Sequence, residues 1–141
     1  MAALLAQSDL VAEVSGTAGL VVGPGVVPGH PLSWTATVVR VLKGDAGLEG
    51  QAIQWFADIL PGVRSLRGPP RALVFLKLNP EGEYDLTDRR RAFIQLSPTP
   101  PPGRPKAADP LEAIRAELLH CLQDDDWELA SEAAARLAFF P

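Results

Sequence analysis

The residues with the greatest chemical reach in this 141-residue chain are an adjacent histidine and cysteine, His120-Cys121, a second histidine at position 30, and a scatter of arginines. Neighbours on a helix lie about 100° apart around its axis, so His120 and Cys121 face different ways. A thiolate nucleophile needs its imidazole within hydrogen-bond reach, and a zinc site needs ligands spaced as paired cysteines or as histidines a turn apart. Neither spacing is present, so Cys121 reads as a small packing residue. A metal-dependent hydrolase built on His30, His120 and nearby acids would require the fold to bring distant positions together. The loop Gly23-Pro24-Gly25-Val26-Val27-Pro28-Gly29 is rich in glycine, but it lacks the Lys-Ser/Thr and the strand-to-helix setting with which a phosphate loop cradles its ligand. These residues nominate no catalytic group, no metal ligand and no cofactor.

Asp88-Arg89-Arg90-Arg91, with Arg64, Arg67 and Arg71, is the one basic concentration, and these six arginines are the candidate binding residues. On a shared rim they would form a patch for single-stranded nucleic acid or another anion, as barrel folds can present. Few aromatics are left over for base stacking, and the net charge is −4. Both features argue against a dedicated nucleic-acid binder, which carries a basic footprint. The charge is also uneven. Residues 1–106 hold 11 basic against 9 acidic side chains (+2), whereas residues 107–141 hold 2 against 8 (−6). An acidic tail and a mildly basic body attract, which suggests how the two halves dock.

Size and composition bound the class. With 47% hydrophobic residues the chain is long enough for one well-packed core, burying roughly two-thirds of its unfolded surface. A single cysteine rules out an internal disulfide. No run of eighteen apolar residues is present to span a membrane. Met1 to Gln7 has neither the basic start nor the apolar length of a signal peptide, so the chain reads as cytoplasmic, or as extracytoplasmic with its leader removed.

The elements that must position these residues are legible from periodicity. Leu10, Ala12 and Val14 alternate with Val11, Glu13 and Ser15. Thr35, Thr37, Val39 and Val41 alternate with Ala36, Val38, Arg40 and Leu42, up to the turn Lys43-Gly44. Arg71 to Leu78 is an apolar run with charges only near its ends, and Gln51 to Phe56 adds a strand. Glu83 to Leu86 and Phe93 to Leu96 read as a closing pair across the charged turn. Trp55-Phe56 with Ile59-Leu60-Pro61 reads as core filling ahead of an exposed apolar edge. Glycine and proline clusters separate the strands and no helix lies between them, which predicts a barrel or sandwich.

Five prolines in the nine residues Ser97 to Pro105 then favour polyproline II, a spacer or strap of about 3.1 Å per residue. Beyond it the period becomes helical. Asp109-Pro110-Leu111-Glu112 is a start signal, and Leu111, Ile114, Leu118 and Leu122 fall on one face. Gln123-Asp124-Asp125-Asp126 ends that helix and caps a second, whose stripe is Leu129, Ala133, Leu137 and Phe140.

Ser8-Asp9-Leu10-Val11-Ala12-Glu13-Val14, Val38 to Gly44, Ala72 to Leu76 and Tyr84-Asp85-Leu86-Thr87 together resemble the strands of the netrin-like, or tissue-inhibitor-of-metalloproteinase-like, domain. The resemblance covers about residues 7–96 and implies a five-stranded OB-type barrel. It does not extend to protease inhibition, because the family's inhibitory members use an N-terminal cysteine to chelate zinc and this chain begins Met-Ala-Ala. The helical pair, with Trp127-Glu128-Leu129-Ala130 and Ala133 to Leu137, resembles the opening of a HEAT-type array. Such arrays need about three units to be stable. The pair is therefore expected either to continue into further repeats or to pack back on the barrel.

The expected architecture is mainly β, α+β overall: a five- to six-stranded OB-like Greek-key barrel over residues 1–96, a Pro-rich linker over 97–108 and a helical hairpin over 109–141. The expected role is a non-enzymatic binding or protein-interaction module, with an Ala-, Pro- and Arg-rich composition typical of high-GC bacterial proteins, and reading as part of a larger protein. The alternatives are single-stranded nucleic-acid or oligosaccharide binding through the arginine turns, and the metal-dependent hydrolase. The specific partner and the oligomeric state are left open.

Overall fold

Alternating side chains give each strand two distinct faces, and in this chain both faces of the central strands are used. The computed structural model describes residues 1–21, 31–58, 68–88, 91–103 and 109–140. Its elements are α1 (Ala2–Gln7), β1 (Leu10–Val21), β2 (Pro31–Lys43), a 3-10 turn (Ala46–Leu48), β3 (Ala52–Asp58), β4 (Arg71–Leu78), β5 (Tyr84–Leu86), β6 (Phe93–Gln95), α2 (Pro110–Cys121) and α3 (Trp127–Leu137). The strands follow the order β1-β2-β3-β5-β4, and β4 pairs back onto β1. This is a closed five-stranded barrel of OB-like Greek-key type, mainly β in an α+β whole. All pairings are antiparallel except β3 with β5.

The expected closing pair is corrected by the register. β5 and β6 do not bond to each other; Leu86 and Tyr84 pair with Leu76 and Leu78, and Phe93 and Gln95 pair with Val74 and Ala72. The eight residues of β4 are long enough to take two three-residue strands end to end along one edge. Its other edge runs against β1 from Leu10↔Leu76 to Ser15↔Arg71, which closes the barrel.

Inside the barrel, Leu10, Ala12, Val14, Ala36, Val38, Ile53, Trp55, Ala72, Val74 and Leu76 form one buried cluster. Phe93 lies 6.4 Å, centroid to centroid, from both Trp34 and Trp55. The outward faces of β1 and β4 carry Val11, Leu73 and Phe75, which pack with Ile94, Leu96, Ile114, Leu118, Cys121, Leu129 and Ala133. The helices therefore pack back on the barrel, the second of the two arrangements expected for an isolated pair. Short α1 was not foreseen; its Leu4 joins the same outer cluster.

Two irregularities in the β1–β2 ladder set side-chain direction. Gly16, at φ 63°, sits in a bulge between Ser15 and Ala18, a backbone region that disfavours residues with a Cβ. In β2, Val38 pairs with Val14 and Arg40 with Glu13, so Val39 is an extra residue. A strict two-residue period would send Arg40 into the barrel with Val38. The bulge turns it outward beside Glu13 instead.

That outward turn completes a buried ionic group. Arg71 Nε donates to Glu13 Oε2 at 3.2 Å, its Nη2 to Glu117 Oε2 at 2.7 Å and its Nη1 to the Ser97 carbonyl at 2.7 Å. Arg40 Nη2 donates to Glu117 Oε1 at 3.3 Å, and its Nε lies 3.6 Å from Glu13 Oε1. Two glutamates and two arginines thus sum to zero charge while tying β1, β2 and β4 to α2. This contact between barrel and helix is short-range and locally neutral, and salt screens it far less than it does exposed charges.

Breaking a buried pair from one side strands its partner, at a typical cost of about 3–5 kcal/mol. Glu117→Gln is expected to lower the unfolding free energy by roughly that amount in urea titration. Replacing Glu13, Arg40, Arg71 and Glu117 together by apolar side chains of similar volume should recover most of the loss.

Candidate functional site

The helical start and stop residues act as their chemistry requires. Asp109 caps α2, accepting from the Leu111 amide at 3.0 Å, and Pro110 takes the first helical position. Asp126 caps α3, accepting from the amides of Glu128 at 3.0 Å and Leu129 at 3.4 Å. The Asp126 cap fixes the α3 side of the corner between the helices. The first residues of the Pro-rich strap are pinned against it. The Ser97 amide donates to Cys121 Sγ at 3.2 Å, the Ser97 hydroxyl to Asp124 Oδ2 at 2.7 Å, and His120 Nε2 lies 2.9 Å from the Thr99 carbonyl oxygen. A carbonyl oxygen only accepts, so Nε2 carries a proton in this contact.

Strap and corner border an open recess of about 290 Å³ lined by Ser97, Thr99, His120, Gln123, Asp124 and Asp125. Asp124 is held below the ordinary aspartate value of 3.8, first by the Asp126 amide at 2.9 Å and then by the Ser97 hydroxyl. The hairpin also exposes apolar side chains: Trp127 is 73% exposed, Leu119 46% and Leu122 39%, and Phe139, beyond the end of α3, is 72% exposed.

Leu122 was expected on the buried stripe of α2. Instead the buried face is Ala113, Ile114, Glu117, Leu118 and Cys121, rotated toward the two arginines that receive Glu117. Cys121 is fully buried, and desolvation pushes its thiol above 9.0, with the Glu117 carboxylate adding to the rise against the opposing Ser97 amide and Arg71. Its role is packing, as its position predicted. His120 reaches the strap and is joined by no group of three metal-ligating side chains among the described residues.

Of the six candidate arginines, Arg71 is 6% exposed and consumed by Glu13, Glu117 and Ser97. Arg91 keeps a side chain 68% exposed, with its Nε 3.5 Å from Asp88 Oδ2, and its carbonyl accepts from Arg136 at 2.9 Å. Arg64, Arg67, Arg89 and Arg90 lie outside the described residues, as do His30, the Gly23 to Gly29 loop and Ile59-Leu60-Pro61. Trp55 is fully buried, as expected of a core residue; its indole Nε1 has no hydrogen-bond partner among the described residues.

Reasoning from the residues alone missed the corner. Asp124 and Asp125 have a sufficient explanation as helix-ending residues, and Leu122 fits a core stripe. The available signal was Leu119, which falls off the Leu111, Ile114 and Leu118 stripe. No protein-family model matches the chain, and no curated protein matches it. The functional reading therefore rests on geometry.

Two measurements check this site. Iodoacetamide should leave Cys121 unmodified in the native protein and label it at the rate of global unfolding, because the thiol is sealed and neutral. Asp124 is depressed in the fold, so its stabilisation is complete above the unfolded value and is lost as pH falls through the folded one. The thermal-stability gap between the wild type and Asp124→Asn should therefore hold at about pH 6 and narrow as pH falls below 3.8.

Proposed function

We propose that the chain is a non-enzymatic protein-interaction module in which an OB-like barrel acts as a rigid platform for a helical hairpin. The observation that carries this reading is the exposure of large apolar side chains, Trp127 above all, on a hairpin locked to the barrel by buried charges. Exposed apolar groups ringed by polar ones mark association surfaces, and tryptophan is among the residues that most often dominate binding energy. A surface held in place before the encounter also loses less entropy on binding.

The same reading extends to descent. The strand segments from Ser8 to Thr87 support assigning the barrel to the netrin-like class, used here as a scaffold. The arginine-turn alternative loses one of its members to the interior, since Arg71 is spent on Glu13 and Glu117.

Immobilised full-length chain, exposed to soluble extract of its source cells, is expected to retain a defined protein in near-stoichiometric amount. Trp127→Ala should weaken that retention by roughly 30-fold or more, as a central interface tryptophan does. Retention of nothing beyond the bare matrix would refute the module. So would tight binding of a single-stranded oligonucleotide whose affinity falls steeply with salt.

A further inference from the structure

We infer that the corner between α2 and α3 is the docking face, and that it receives a partner segment carrying a lysine or arginine flanked by apolar side chains. This rests on the reading of the chain as an interaction module. Over residues 119–127, two kinds of side chain interleave. Leu119, Leu122 and Trp127 stand exposed on the same stretch of chain whose His120, Gln123, Asp124 and Asp125 line the recess. Exposed apolar side chains on the segment that lines a polar recess fit a peptide that carries both kinds of group.

The recess itself selects charge. Its volume of about 290 Å³ lies at the lower limit of small-ligand sites, roughly 300–1,000 Å³, and suits a single inserted side chain. Its walls mostly accept hydrogen bonds. Asp124 is ionised throughout the neutral range; each of its oxygens takes one protein donor, Ser97 or the Asp126 amide, and keeps further lone pairs. Asp125 is exposed and brings a second carboxylate. The Thr99 carbonyl accepts as well. Among the described residues no lysine or arginine lines the pocket. An ammonium or guanidinium supplies the several donors and the positive charge that this set lacks. The surrounding chain segment, at −6, steers such a partner inward. Trp127 adds a ring face on which an arginine can stack. Asp126 is not among the residues that line the recess, and its Oδ1 accepts from the first amides of α3.

The test is to select binders to the full chain from a random linear peptide display library and to measure the synthesised consensus by fluorescence anisotropy. The expected consensus holds a basic residue within three positions of an aliphatic or aromatic one. Its affinity should fall with added salt, and drop at least 10-fold when the basic residue becomes norleucine. Asp125→Lys and Trp127→Ala should each weaken it by a similar factor. Both substitutions lie on exposed side chains away from the buried charges, and unchanged thermal melts will show that the fold is intact.

No enrichment, a consensus without a basic residue, or binding indifferent to both substitutions would overturn the proposal. Binding indifferent to both, with the extract partner lost instead on Phe139→Ala, would move the contact elsewhere on the hairpin and leave the module reading standing. An extract that yields no partner at all would remove that reading as well. Selected peptides that bind only with added divalent metal, or a second copy of the chain occupying the corner by sedimentation, would also overturn it.

Discussion

The architecture depends on one interaction: the guanidinium of Arg71, buried between Glu13 on its own barrel wall and Glu117 on α2. A charge so placed tolerates no half-measures. Each donor needs an acceptor with the right direction, and each acceptor fixes an element: β1 through Glu13, α2 through Glu117 and the strap through the Ser97 carbonyl. Apolar packing of Ile114, Leu118 and Cys121 supplies the larger driving force, but it is indifferent to small rotations of the helix. The ionic group specifies which rotation is adopted. That rotation in turn leaves Leu119 and Leu122 facing solvent.

Much of the fold was legible because it rests on local rules. Period-two alternation located β1 to β4, Asp109-Pro110 marked the start of α2, and the aspartate run marked the break before α3. What escaped were features that depend on distant partners. Nothing near Glu117 signals burial, since an acid on a helix ordinarily faces water; only the arginines of β2 and β4 make the inner face tolerable. Arg40 was equally opaque, because its direction is set by a bulge at Val39 that costs nothing in composition. The division of β5 and β6 along β4 could not be read from two short segments whose common neighbour is the same strand. Of the site, His120 and the acids were visible as residues but not as a recess, because the strap that walls it arrives from outside the hairpin.

The barrel and the hairpin use opposite sides of one wall. β1 and β4 are clad on the inside by the barrel core and on the outside by α2 and α3, which explains how a short barrel supports two separate clusters. Trp55 fills the inner cluster and Phe75 the outer, each fully buried. The hairpin is therefore a structural layer as well as a surface, and its exposed residues sit on a base that cannot shift without opening the outer core.

The two-sided burial of β4 carries a cost during synthesis. A ribosome releases Leu73 and Phe75 long before the helices that will cover their outward side, so a newly closed barrel emerges with a greasy flank and must wait for some forty further residues, about 2–8 s at ordinary elongation rates. Uncharged, β-prone runs of this kind invite chain-to-chain stacking while they wait. Arg71 and Lys77 bracket the run, and charges in such flanking positions act as gatekeepers. The arginine that later locks the helices in place thus serves the nascent chain first, as a deterrent to aggregation.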